Sequence, residues 1–213
     1  MNDQFAFMVR ERIAIEAGAV QAVADVLDAA TDQIIDVLLN CSGMVFVTGS
    51  GTSGTIARRM AHLFSVSGTP SVFMQPSDAL HGTMGALRVG DVLIAISKGG
   101  RSDEINDLCR RAMKRGVIIV ALTSDREAEL AQLAEYVQVF PVADQVDPGN
   151  VIAMGSTLMH AVWGDCLAVT LMAMRGYSWA DVIFTHPLGA VGKIEDLPPE
   201  VLALPDLGPL RPE

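Results

Sequence analysis

Short apolar strands that alternate with helices predict an α/β fold, a three-layer α-β-α sandwich on a five-stranded parallel sheet. Three observations carry this. Runs rich in Val, Ile and Ala at 44–48, 71–74, 92–96, 117–122 and 136–140 alternate with helix-like segments at 53–67, 77–84, 102–115 and 127–133. Half of the 213 residues are hydrophobic but only 5% aromatic, which suits a sheet buried on both faces. Two of the strands run straight into Gly/Ser turns that open helices, the layout of a right-handed βαβ crossover.

Before the first strand, Ile13, Ala17, Val20, Val23, Leu27, Ile34, Ile35 and Leu38 recur at helical spacing, so residues 5–39 read as helix. The segment 1–43 is then a helical unit packed on a domain spanning 44–194. Residues 142–154 lack periodicity and hold Asp144, Asp147, Pro148, Gly149 and Asn150, which makes them a loop of a length that is often functional. Residues 156–175 form a long, apolar helix whose Met159, Trp163, Leu167 and Leu171 call for burial. The Pro- and Leu-rich 195–213 reads as an extended tail.

The net charge of −10 argues against nucleic acid or an anionic membrane as partner. The start of the chain lacks the apolar stretch of a signal peptide, and no apolar run reaches the ~18 residues that span a bilayer. A soluble, cytoplasmic protein is the expectation. Cys41, Cys109 and Cys166 show neither zinc spacing nor a disulfide framework and read as buried small hydrophobes.

The first βα turn, Gly49-Ser50-Gly51-Thr52-Ser53-Gly54, brings backbone N–H groups, three hydroxyls and a helix N-terminus to one point. It has the glycines of a dinucleotide fingerprint, but no acidic residue closes the next strand, which runs into Gln75-Pro76. It also lacks the Gly-Lys-Ser/Thr of a nucleoside-triphosphate loop. A phosphomonoester or a sugar hydroxyl fits better; the plain alternative is a tight turn that needs glycine. The third strand repeats the pattern as Ser97-Lys98-Gly99-Gly100-Arg101-Ser102, where Ser97 and Ser102 can donate to phosphate and Lys98 can add charge. In a doubly wound sheet these turns meet at the carboxyl edge. Glu104 is a candidate acid–base group, or an ordinary helix-start carboxylate. His81 and His186 lie in Gly- or Pro-broken segments and are candidate acid–base groups, whereas His62 and His160 fall mid-helix.

The ordered set Gly51-Thr52-Ser53-Gly54, Ser67-Gly68-Thr69-Pro70, Asp78-Ala79-Leu80-His81-Gly82, Ile96-Ser97 with Gly100 and Glu104, Gly155-Ser156-Thr157, Gly164-Asp165, Arg175-Gly176 and His186-Pro187-Leu188-Gly189 resembles the SIS (sugar isomerase) family, and within it the arabinose-5-phosphate isomerase branch. The likeness covers residues 10–194. It is to short forms, without the pair of CBS domains that many members carry.

The resemblance implies a flavodoxin-like sheet and aldose–ketose isomerisation of a phosphorylated sugar through an enediol. It implies no metal or organic cofactor, and a homodimer or homotetramer with sites completed across subunits. It assigns catalysis to His81, Glu104 and His186, and phosphosugar binding to the turns (Ser50, Gly51, Thr52, Ser53, Ser97, Lys98, Gly99 and Ser102). Two positions depart: the isomerases' first-turn lysine is Thr52 here, and an acidic residue of the later loop aligns with Gln145. Lys98 is expected to restore the missing positive charge. The departures leave open a non-catalytic phosphosugar-binding module, or another reaction of the heptose-phosphate isomerase or etherase branches.

Overall fold

The computed structural model describes residues 3–197; most of the tail expected at 195–213 lies outside them. Five strands form one parallel sheet: β1 Val45–Gly49, β2 Ser71–Phe73, β3 Val92–Ile96, β4 Ile118–Thr123 and β5 Tyr136–Val139. Their spatial order is β2-β1-β3-β4-β5. The chain leaves β1 toward β2 on one side and returns to β3 on the other, so the β1–β3 boundary is the topological switch point.

Alternation along each strand feeds two cores. Val45, Val47, Val92, Ile94, Ile96, Val120 and Leu122 face one layer, where they join Ala57, Phe64, Trp163, Leu167 and Leu171. Phe46, Leu93, Ala95, Ile119 and Ala121 face the other, with Ile105, Leu108, Cys109 and Leu130. The inner strands β1 and β3 are withdrawn from water on both faces and are largely apolar, as in parallel sheets, whereas Val72 on the edge strand β2 is exposed.

The helices are α1 Asp3–Gln21, α2 Ala29–Leu39, α3 Gly51–Val66, α4 Pro76–Leu80, α5 Asp103–Lys114, α6 Glu129–Leu133, α7 Gly155–Arg175 and α8 Trp179–Phe184. The single helix expected over 5–39 is two. Asp28 breaks it, because its Oδ1 accepts the Ala30 and Thr31 amides at 2.9 and 3.3 Å and caps α2. A 3₁₀ turn, Ala22–Val26, joins the halves. The helix expected over 77–84 also divides, at Gly82, whose φ of +120° no helix continues. α8 was not anticipated; it opens on a capping box of Ser178 and Asp181. The helical segment before β1 is part of the first core through Ala19, Val23, Ile34 and Leu38.

By length and composition α7 could cross a membrane; half of its apolar stretch is buried inside the domain. His160 and Asp165 interrupt it, so it holds no unbroken apolar run of that length. The cysteines divide as well. Cys109 is buried, and burial pushes its thiol up to about 12, whereas Cys41 is half-buried and Cys166 exposed, so two of the three are not the core residues expected.

Candidate active site

The first turn is built by close approach of backbone. A Cβ on Gly54 would sit 2.6 Å from the Gly49 carbonyl oxygen, and one on Gly49 would sit 2.9 Å from Ser53 carbonyl atoms. Only glycine lets α3 start this near the end of β1. Ser50 keeps extended backbone as the N-cap, and Gly51 takes φ +56°. Gly54 N–H donates to Ser50 O at 3.1 Å. Thr52 is exposed and Ser53 half-buried, so the turn offers hydroxyls and amides and carries no charge of its own.

The second turn lies beside it, because Gly49 pairs in register with Ile96. Ser97 is buried and its Oγ lies 3.2 Å from that of Ser102. Ser102 starts α5 without a side-chain cap bond, so its hydroxyl meets Ser97 instead of its own helix. Gly100, at φ +62°, packs where a Cβ would be 2.6 Å from Ala128 Cβ. Gly99 is exposed.

Glu104, in the first turn of α5, joins the two. The Ser50 hydroxyl, and then its own backbone N–H, hold its carboxyl below the ordinary carboxylate range. An ionised carboxylate thus stands between two hydroxyl-rich turns at the switch point.

Lys98 is not the open charge expected. Its Nζ lies 2.6 Å from Oδ2 of Asp147, which is wholly buried. Burial alone would raise the Asp147 carboxyl; Lys98, the Ser156 hydroxyl and the Ser156 and Met154 amides outweigh it and bring the carboxyl down to about 2. Sequence reasoning noted Asp147 only as a loop neighbour of Gln145. It lies 49 positions after Lys98, and no local signal announces the pairing.

Residues 38–164 match the SIS domain family. The chain belongs to the SIS family. It is 34% identical over 186 residues to a Haemophilus influenzae protein named "Probable arabinose 5-phosphate isomerase", a match spanning 87% of this chain and 55% of that one. It is 32% identical over 201 residues to the arabinose 5-phosphate isomerase KdsD of Pseudomonas aeruginosa, covering 92% and 62%. The chain therefore spans little more than half the length of these curated relatives. A solved Escherichia coli CFT073 protein in complex with arabinose 5-phosphate superposes with a TM-score of 0.84 at 30% identity, covering 88% of this chain and all of that one.

In this SIS domain no hydrogen bond joins either candidate histidine to Glu104 among the described residues, although α4, which ends at His81, packs against α5. His81 is exposed at the end of α4, on the carboxyl side of β2, with its amide bonded to Ser77 and Asp78 carbonyls. His186 is half-buried and its Nδ1 lies 2.6 Å from Val182 O. α7 carries the chain away from the site, about 30 Å at 1.5 Å per residue. It ends where Arg175 donates to Leu38 O at 2.7 Å and to Thr69 Oγ1 at 3.2 Å, beside the strands' amino ends. Among the described residues no hydrogen bond links His186 to either turn. Gln145 is exposed, in a left-handed conformation at φ +68° that is uncommon outside glycine.

His160, read from the sequence as a mid-helix residue, is wholly buried against the Phe140 ring at 4.7 Å. Burial pushes its imidazole down to about 4, so it is neutral near pH 7.

Proposed function

We propose that this SIS domain is a sugar-phosphate aldose–ketose isomerase acting through an enediol, with arabinose 5-phosphate as the first substrate to test. The observation that carries this reading is the Glu104 carboxylate, held by Ser50 between two phosphate-type turns on adjacent strands.

In this account the hydroxyls of Ser97 and Ser102 and the amides opening α5 take the phosphate, and the turn of Ser50, Gly51, Thr52 and Ser53 holds the sugar. Glu104 takes the proton from C2 of the open-chain aldose. The C2–H electrons form the enediol double bond as the C1 carbonyl oxygen gains a proton. Return of a proton to C1, with loss of the O2 proton, gives the ketose. The lowered carboxyl keeps Glu104 ionised at neutral pH and ready to accept; the carbonyl beside C2 supplies the acidity that such a base needs.

His81 and His186 would open the ring and move protons between O1 and O2. His186 would come from a second copy, in a homodimer or homotetramer. Phe184 and Leu188 beside it are 85% and 91% exposed, and Phe5, Phe7, Met8 and Ile13 on α1 are exposed as well, a pattern suited to faces that other copies cover. A cytoplasmic site of action, the 44–194 unit as bearer of the site, and no nucleic-acid or membrane partner complete the proposal.

A second reading, phosphosugar binding without turnover, is favoured by Thr52 and Gln145, which supply neither the lysine nor the carboxylate of the isomerase pattern. Incubation with arabinose 5-phosphate, followed by NMR, decides. Appearance of ribulose 5-phosphate supports the isomerase; saturable binding with no ketose supports the binding module; no binding of any sugar phosphate defeats both.

A further inference from the structure

Lys98 and Asp147 form an ion pair with one buried end, the Asp147 carboxylate, whose cost is not explained by stability. Taking the carboxylate wholly and the ammonium partly out of water consumes much of what their attraction returns, and well-packed apolar residues often serve a fold as well or better. Yet everything around the pair fixes its geometry. The Lys98 carbonyl accepts from Ser124 N at 2.8 Å, Thr123 Oγ1 at 2.9 Å and Ser124 Oγ at 2.8 Å. Asp147 Oδ1 accepts the Met154 and Ser156 amides at 2.8 and 3.0 Å, and Oδ2 accepts the Ser156 hydroxyl at 2.6 Å. The strap that carries Asp147 is tied once more, from α1: Arg12 donates to Gln145 O at 2.9 Å and also to Val146 O.

The two partners are not equally enclosed. The Asp147 side chain is 0% exposed, that of Lys98 26%. An ammonium has three donors, and Asp147 takes one of them. The carboxylate therefore lies beneath and the cation lies toward solvent, in the turn that holds Ser97 and Ser102.

We infer that Asp147 is a positioning residue: from beneath the second turn it holds the Lys98 ammonium where its remaining N–H groups meet the ligand's phosphate. This rests on the phosphosugar reading and deepens it, by giving the charge that Thr52 does not supply a fixed place and a named support. A lysine already immobilised loses little rotamer freedom when the anion arrives, and its affinity for the anion rises accordingly. The role differs from simple provision of charge, because a lysine free in water would carry the same charge without the placement.

The test is a double-mutant cycle on equilibrium affinity, measured by titration calorimetry with inorganic phosphate and with arabinose 5-phosphate. Lys98→Met is expected to weaken both by about tenfold, the worth of one charge-assisted hydrogen bond. Asp147→Asn keeps the shape and an acceptor for the Met154 and Ser156 amides. Its Lys98, already a quarter exposed, swings into water, so the variant folds and also loses about tenfold.

Because Asp147 acts only through Lys98, the double variant loses about tenfold as well, not the hundredfold of independent effects. Thermal unfolding separates this from general damage: Asp147→Asn lowers affinity at temperatures where it is fully folded. Wild-type affinity in Asp147→Asn, or a hundredfold loss in the double variant, overturns the inference while leaving the isomerase reading intact. Absence of ketose formation by the wild type, with the cycle as expected, defeats the isomerase reading and leaves the inference standing. No phosphate binding by the wild type overturns both.

Discussion

The two turns at the carboxyl edge share one chain pattern and solve different problems. The turn after β1 is shaped by backbone contact: Gly49 and Gly54 touch, and no charged side chain belongs to it. The turn after β3 is shaped by side chains. Ser97 meets Ser102, and Lys98 is anchored to an aspartate 49 residues away. The first turn has no room for added atoms where Gly49 and Gly54 meet but is indifferent to pH; the second depends on an ion pair and answers to acid. Glu104 bridges the two by drawing on Ser50 from the first while sitting on the helix that starts the second.

Acid should act on the anchor of the second turn, Asp147, and on His160 of α7, which belongs to neither turn. His160 is neutral in the fold, with its imidazole pushed down to about 4, against 6.5 for the free group. The unfolded chain binds that proton first, so stability falls as pH drops from about 6.5 to about 4, by up to about 3 kcal/mol. Asp147, at about 2 in the fold, adds a further loss as pH falls below about 4. Thermal unfolding followed from pH 7 to pH 3 should show both, and His160→Phe should remove the first.

Space tests the first turn. Gly54→Ala drives a methyl to 2.6 Å from the Gly49 carbonyl and should cost about 2 kcal/mol in chemical denaturation. Gly51→Ala meets no atom within 4 Å and bears only the strain of φ +56°, about 1 kcal/mol. Equal costs at the two positions would mean that backbone contact does not define this turn.

The smallest effect concerns the bridge. Ser50→Ala removes the bond that lowers the Glu104 carboxyl, so the acid limb of kcat/KM should move to higher pH. A limb that stays in place would detach Glu104 from the first turn.

The sheet was legible in the sequence because each strand is an apolar run closed by turn residues, and both Gly/Ser turns were legible because glycine and serine spacing is local. The break at Asp28 and the box of Ser178 and Asp181 were also written locally, as capping residues, but apolar periodicity ran across the first and the second was too short for it to register. The partnership of Lys98 with Asp147 was not legible. It depends on β3, the strap and the start of α7 meeting in space, and a lone lysine in a Gly/Ser turn looks like an open charge. The gap between His186 and Glu104 was hidden for the same reason, since only the run of α7 toward the amino edge separates them.

Glu104 is proposed as the base that removes the C2 proton. NMR in deuterated water, with arabinose 5-phosphate as substrate, tests it directly. Deuterium should enter the sugar during turnover by the wild-type protein. With Glu104→Gln, exchange and ketose formation should fall together by at least about a hundredfold while sugar-phosphate affinity is retained. Exchange at the wild-type rate in Glu104→Gln would contradict the account.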